Sequence, residues 1–147
     1  MLDSPYLTLI GRVLVGLIFL FSAIHKIADP HGTQQYMIMM GMTRMTTLLF
    51  IGAVAVELGG ALSLLLGYRA RMGGWLLFAF MVPTTLIFHT NFGDPNQMIH
   101  FLKNLAIMGG LLYVACYGAG RYSMDAGLER PEALDMPPRP LRKVINQ

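Results

Sequence analysis

Four long apolar stretches organise this chain, and three of them reach the length of a membrane span only by enclosing a charged residue. A spanning helix needs about 20 predominantly apolar residues. Only twelve residues, Val13 to Ile24, separate Arg12 from His25, so the first span runs over about 5–25 with Arg12 inside it. Residues 45–56 and 58–66 are each too short to cross, which places Glu57 near the middle of a second span over about 46–66. The third, about 72–90, holds no formal charge but carries Trp75 near one end and Pro83 in its interior. The fourth, about 98–118, has His100, Lys103 and Asn104 in its opening turns.

Composition confirms that the solvent is lipid. Of the 147 residues, 54% are hydrophobic and 13% are charged, against a usual charged share of about 25%. That balance excludes an intrinsically disordered chain, a cytosolic globular enzyme and a solvated nucleic-acid-binding module. The net charge of +3 forms no basic stripe outside the tail, so no nucleic-acid partner is expected. Cys116 is the single cysteine, which excludes a disulfide framework, a CxxC redox pair and a cysteine metal cage.

The expected architecture is all-α, a four-helix transmembrane bundle over 1–120 followed by a mostly irregular cytoplasmic tail over 121–147, where Pro131, Pro137, Pro138 and Pro140 lie among mixed charges. No basic cluster precedes the first apolar run and no A-x-A-like site follows it, so that run reads as a retained span. Four spans place both termini on one side. Arg69, Arg71, Arg121, Arg130, Arg139, Arg142 and Lys143 lie on that side, seven basic residues against Lys26 and Arg44 opposite, and the positive-inside rule makes it the cytoplasmic one.

Charges inside a bilayer cost several kcal/mol unless they find partners, so each is a candidate site. Arg12 lies about seven residues from the cytoplasmic end of its helix and Glu57 about ten, a depth difference of roughly 5 Å at 1.5 Å per residue. A buried Arg12–Glu57 pair follows as the expectation, either as a clamp between helices or as part of a functional site. The small residues Ala53, Gly60 and Ala61 share the Glu57 face and turn it towards protein. His100 and Lys103 are three apart on one helical face with Asn104 beside them, and His89 lies across the short turn. His89, His100, Lys103 and Asn104 therefore form a candidate quinone or ligand site. His25 and His31 fall at the same end of the molecule. No firm metal site emerges, and His25, His89 and His100 are the weak candidates. The methionine-rich stretch from Met37 to Met45 reads as a short amphipathic helix on the bilayer, anchored by Tyr36.

The order and spacing of several short motifs resemble the DoxX family of small four-helix membrane proteins, over about residues 11–125. They are Gly11-Arg12, Gly16-Leu17-Ile18-Phe19, His25-Lys26, Glu57-Leu58-Gly59-Gly60, Leu66-Gly67, His89, Lys103-Asn104-Leu105 and the closing Gly118-Ala119-Gly120-Arg121-Tyr122-Ser123-Met124-Asp125, where the family usually has leucine in place of Met124. The resemblance implies a bacterial inner-membrane location and a role linked to membrane oxidoreductases, with any flavin or iron–sulfur centre supplied by a partner. The expected function is an accessory or quinone-facing subunit of a membrane redox system that is not catalytic alone. One alternative is a non-enzymatic scaffold, in a larger complex or a homo-oligomer. The other is a histidine-ligated haem protein, built from His25 with His89 or His100.

Overall fold

The computed structural model describes residues 5–128. Four helices long and apolar enough to cross a membrane, α1 (Pro5–Ala28), α3 (Thr46–Leu66), α4 (Ala70–Phe88) and α5 (Pro95–Tyr117), account for most of them, with two short helices, α2 (Pro30–Met39) and α6 (Met124–Leu128). No strand occurs among the described residues. Two of the helix starts, those of α2 and α5, are chemically marked. Asp29-Pro30 and Asp94-Pro95 each put a capping carboxylate before a first-turn proline, Asp29 Oδ1 accepting from Gly32 N at 2.9 Å and Asp94 Oδ1 from Asn96 N at 2.9 Å.

The spans close a ring in which α1 packs on α3, α3 on α4, α4 on α5 and α5 on α1. Phe19, Ala61, Leu64, Leu77, Met81, Ile107, Met108 and Leu111 fill its centre. Large apolar residues such as Leu14, Ile18, Phe21, Leu86 and Leu102 point outward and are exposed in the isolated chain. Lipid-facing helices need no polar exterior, so the distinguishing residues face inward. Small residues let the helices approach: a Cβ on Gly74 would lie 3.1 Å from the Leu111 carbonyl oxygen and the Ala115 nitrogen, so α4 and α5 meet backbone to backbone. Helix α4 stays continuous through Pro83, and the Thr84 hydroxyl donates to the Phe80 carbonyl at 2.8 Å.

Two differences from the sequence expectation concern the ends. The methionine stretch is helical only where it begins, Met37 to Met39 closing α2, and that helix is tied to the bundle: Met37 is buried and the Tyr36 ring stacks on Phe88 at 5.5 Å. The tail begins as structure, since residues 121–128 include α6 and fold back onto the α3–α4 turn. The irregular run expected over 129–147, with Arg130, Arg139, Arg142 and Lys143, lies outside the described residues.

Candidate functional site

Glu57, 4% exposed at mid-span, is held by α1. Ser22 and Lys26 stand one turn apart on that helix, on the face that meets α3. Lys26 Nζ donates to both Glu57 carboxylate oxygens at 2.9 Å and to Ser22 Oγ at 2.7 Å, and the Ser22 hydroxyl donates to Glu57 Oε1 at 3.1 Å. The carboxylate is thus paired and hydrogen-bonded, as a buried ion requires.

The expected Arg12–Glu57 pair does not form. Helices α1 and α3 run antiparallel with Arg12 beside Gly67, Gly16 beside Leu64 and Leu65, and Ser22 beside Glu57. Arg12 and Glu57 are therefore ten residues apart along the pair, about 15 Å. The expectation treated the two helices as ending level. Instead α1 starts seven residues, about 10 Å, beyond the level of Gly67, and this overhang packs on the closing segment, with Tyr6 stacked on Tyr122 at 4.8 Å.

Arg12 serves that closing segment. Its guanidinium is 2% exposed, Nη2 donates to the Tyr122 carbonyl at 2.9 Å, and Nε and Nη1 have no hydrogen-bond partner among the described residues. Asp125 completes the junction. Its carboxylate accepts from the backbone N–H of Arg69 at 2.7 Å and of Ala70 at 3.1 Å, capping α4, while its own N–H donates to Gly67 O at 3.0 Å. The motif from Gly118 to Asp125 is thus a latch: it binds the buried arginine of α1 and the start of α4 together.

At the other end, His89 caps α4 and the turn to Asp94 brings it over α5. Its ring stacks on His100, centroids 5.2 Å apart and planes 26° apart, and His89 Nδ1 lies 2.8 Å from Gln97 Oε1. Lys103 Nζ is 3.0 Å from His100 Nδ1. An ammonium can only donate, so His100 accepts at Nδ1 and carries its proton on Nε2. Oriented with its oxygen towards His89, Gln97 accepts a hydrogen bond from His89 Nδ1–H, which leaves the His89 Nε2 as an acceptor. The pair thus offers one donor nitrogen and one acceptor nitrogen beside an exposed ammonium.

His89, His100 and Lys103 are brought together, whereas Asn104 turns inward, its Nδ2 donating to the buried Thr85 Oγ1 at 3.1 Å. His25 and His31 are exposed and share no hydrogen bond or ring stacking with the pair. The haem alternative needs His25 opposite His89 or His100, and the structure does not bring His25 together with either of these rings, which stack on each other instead. Among the described residues no group of three His, Cys, Asp or Glu side chains is placed to hold a metal ion.

Lys26, Ser22, Gln97, Tyr122 and Asp125 are the site residues that the sequence reading missed. A signal for Lys26 was present: it extends the buried stripe Arg12, Gly16, Phe19, Ala23 by the next helical step.

These features define a small multi-pass membrane protein with two polar junctions inside an apolar ring and a histidine–lysine cluster at one end. The chain belongs to the DoxX family, whose model matches residues 7–90. It is similar to two inner membrane proteins of Escherichia coli (strain K12). Inner membrane protein YqjF is 36% identical over 122 residues, covering 83% of this chain and 92% of the relative. Inner membrane protein YphA is 37% identical over 127 residues, covering 82% of this chain and 89% of the relative. No solved structure matches the chain.

Proposed function

We propose that this protein is an inner-membrane accessory subunit that presents a quinone-facing cluster, His89, His100 and Lys103, to a redox partner. The observation that carries this reading is the stacked, hydrogen-bonded arrangement of the three side chains at the end of two adjacent spans. A quinone carbonyl needs donors at membrane depth and a quinol hydroxyl needs an acceptor. Lys103 and the His100 Nε2 proton supply the first, and the His89 Nε2 the second. His100 and Lys103 are exposed, flanked along α5 by the outward-facing Ile99 and Leu102. The partner supplies the redox centre in this reading.

Photo-reactive quinone labelling in native membranes tests it. Cross-links are expected on α4 and α5 next to His89 and His100, falling at least several-fold in Lys103→Met. Labelling that is absent, or indifferent to Lys103→Met, turns the assignment to the scaffold reading. That alternative draws on a separate observation: both interior charges, Glu57 and Arg12, bond to groups of this same chain. It makes the polar junctions devices for holding the bundle.

Orientation belongs to the same proposal. Lys26 is turned inward to Glu57 and so drops out of the loop count opposite the termini, which supports the reading that both termini are cytoplasmic. A phosphatase fused after Gln147 is expected to be inactive, and a fluorescent protein fused there to be bright. The reverse pattern overturns the orientation and places the histidine cluster at the cytoplasmic face.

A further inference from the structure

We propose that the end of the bundle where α1 begins and α5 ends carries a binding site for the phosphate of an anionic glycerophospholipid, formed by Arg69, Arg71 and Arg121. The three arginines line one depression of about 490 Å3 between the α3–α4 turn, the end of α5 and the closing segment. All three are exposed. Asp125 is the one carboxylate in that lining, and its oxygens are occupied by the backbone N–H groups of Arg69 and Ala70. The guanidinium groups therefore outnumber the acid three to one, and the acid is turned to another task.

The local backbone prepares the site. Arg71 lies against Gly118, where an added Cβ would be 3.0 Å from the Arg71 Nε, and Gly118 has φ +82, a conformation that disfavours a side chain beneath that arginine. Arg69 sits over the Tyr68 ring at 5.8 Å, a cation–π contact that leaves the edge of the guanidinium open. Planar guanidinium groups recognise phosphate oxygens in pairs, a geometry that ammonium groups lack.

The surroundings specify a lipid. Arg71 is in the first turn of α4 and Tyr117 is the last residue of α5, so the depression opens where both helices leave the apolar layer. Its wall includes Met72, 63% exposed, and Tyr117, 76% exposed, large apolar surfaces at the ends of two membrane-spanning helices. A headgroup phosphate in the depression would have its acyl chains beside these two residues, whereas a soluble anion would leave them unused.

The test is native mass spectrometry of the full-length protein, delipidated in a neutral detergent and titrated with phosphatidylglycerol or phosphatidylcholine. The wild type is expected to bind its first phosphatidylglycerol at least tenfold more tightly than phosphatidylcholine. Arg71→Gln/Arg121→Gln is expected to lose that preference, and Arg44→Gln, at the opposite end, to keep it. Circular dichroism checks that each variant retains its helical content. Equal binding of the two lipids by the wild type overturns the proposal without reference to any variant. So does a preference that survives in Arg71→Gln/Arg121→Gln. Displacement of phosphatidylglycerol by an equal concentration of inorganic phosphate overturns it in favour of a free-phosphate site.

Discussion

Lys26→Met is expected to destabilise the detergent-solubilised protein by about 3–5 kcal/mol, and Glu57→Gln by less, about 1–2 kcal/mol. The asymmetry comes from depth. Glu57 is central and 4% exposed, so removing Lys26 strands a carboxylate that has no route to water and keeps only the Ser22 hydroxyl. Lys26 sits in the last turn of α1 with 23% of its side chain exposed, and once Glu57 is gone its ammonium can extend to the interface. Removing both charges together should recover much of the Lys26→Met loss, a coupling of about 1–3 kcal/mol. Unfolding titrations in mixed micelles measure all three variants. Arg12→Gln supplies the contrast: some 15 Å from Glu57, its effect should add to that of Glu57→Gln within about 0.5 kcal/mol. Strict additivity between Lys26 and Glu57, or strong coupling between Arg12 and Glu57, would show that the carboxylate has a different partner from the one described.

The four spans were readable because lipid imposes a length and a polarity on each segment, and few other folds satisfy both at once. The closeness of His100 and Lys103 was readable for a related reason: a spacing of three fixes a shared helical face whatever surrounds it. The Arg12–Glu57 expectation failed at the step that spacing does not encode, the axial offset between two helices. That offset is set by the closing segment, which needs the first turns of α1 to project past Gly67. A segment of Gly, Arg, Tyr, Ser and Asp has no hydrophobic period, so its docking is invisible to pattern reading; it is held by main-chain hydrogen bonds and by the Asp125 cap. Lys26 adjoins a helix end, which makes it resemble a loop charge in sequence, although it continues the buried stripe of α1. Asn104 neighbours Lys103 in sequence, which suggests one open patch, but the next helical position points about 100° away, towards Thr85.

Gly67→Ala is expected to be among the most damaging single-methyl additions in the chain, for two separable reasons. The first is conformational: Gly67 has φ +68, and placing alanine in the left-handed region costs about 1–2 kcal/mol. The second is the latch, because an added Cβ would collide with Arg12 Nη1 and approach Ser123 Cβ at 2.5 Å. Moving that guanidinium breaks its bond to the Tyr122 carbonyl, a charge-assisted contact of about 1.5–3 kcal/mol, and frees the closing segment. Gly41→Ala isolates the first reason, since Gly41 also has positive φ, +90, but an added Cβ there meets nothing within 4 Å. The excess of Gly67→Ala over Gly41→Ala therefore measures the latch, about 2 kcal/mol or more in a detergent unfolding titration. Release of the segment should also speed tryptic cleavage at the exposed Arg121 several-fold, a change that strain in the α3–α4 turn alone does not produce. In an Arg12→Met background the excess should shrink, because the group that the methyl displaces no longer carries the bond to Tyr122. An excess that persists at full size in that background, with Arg121 as protected as in the parent, would place the cost of the methyl in its contact with Ser123 and deny Arg12 the part assigned to it.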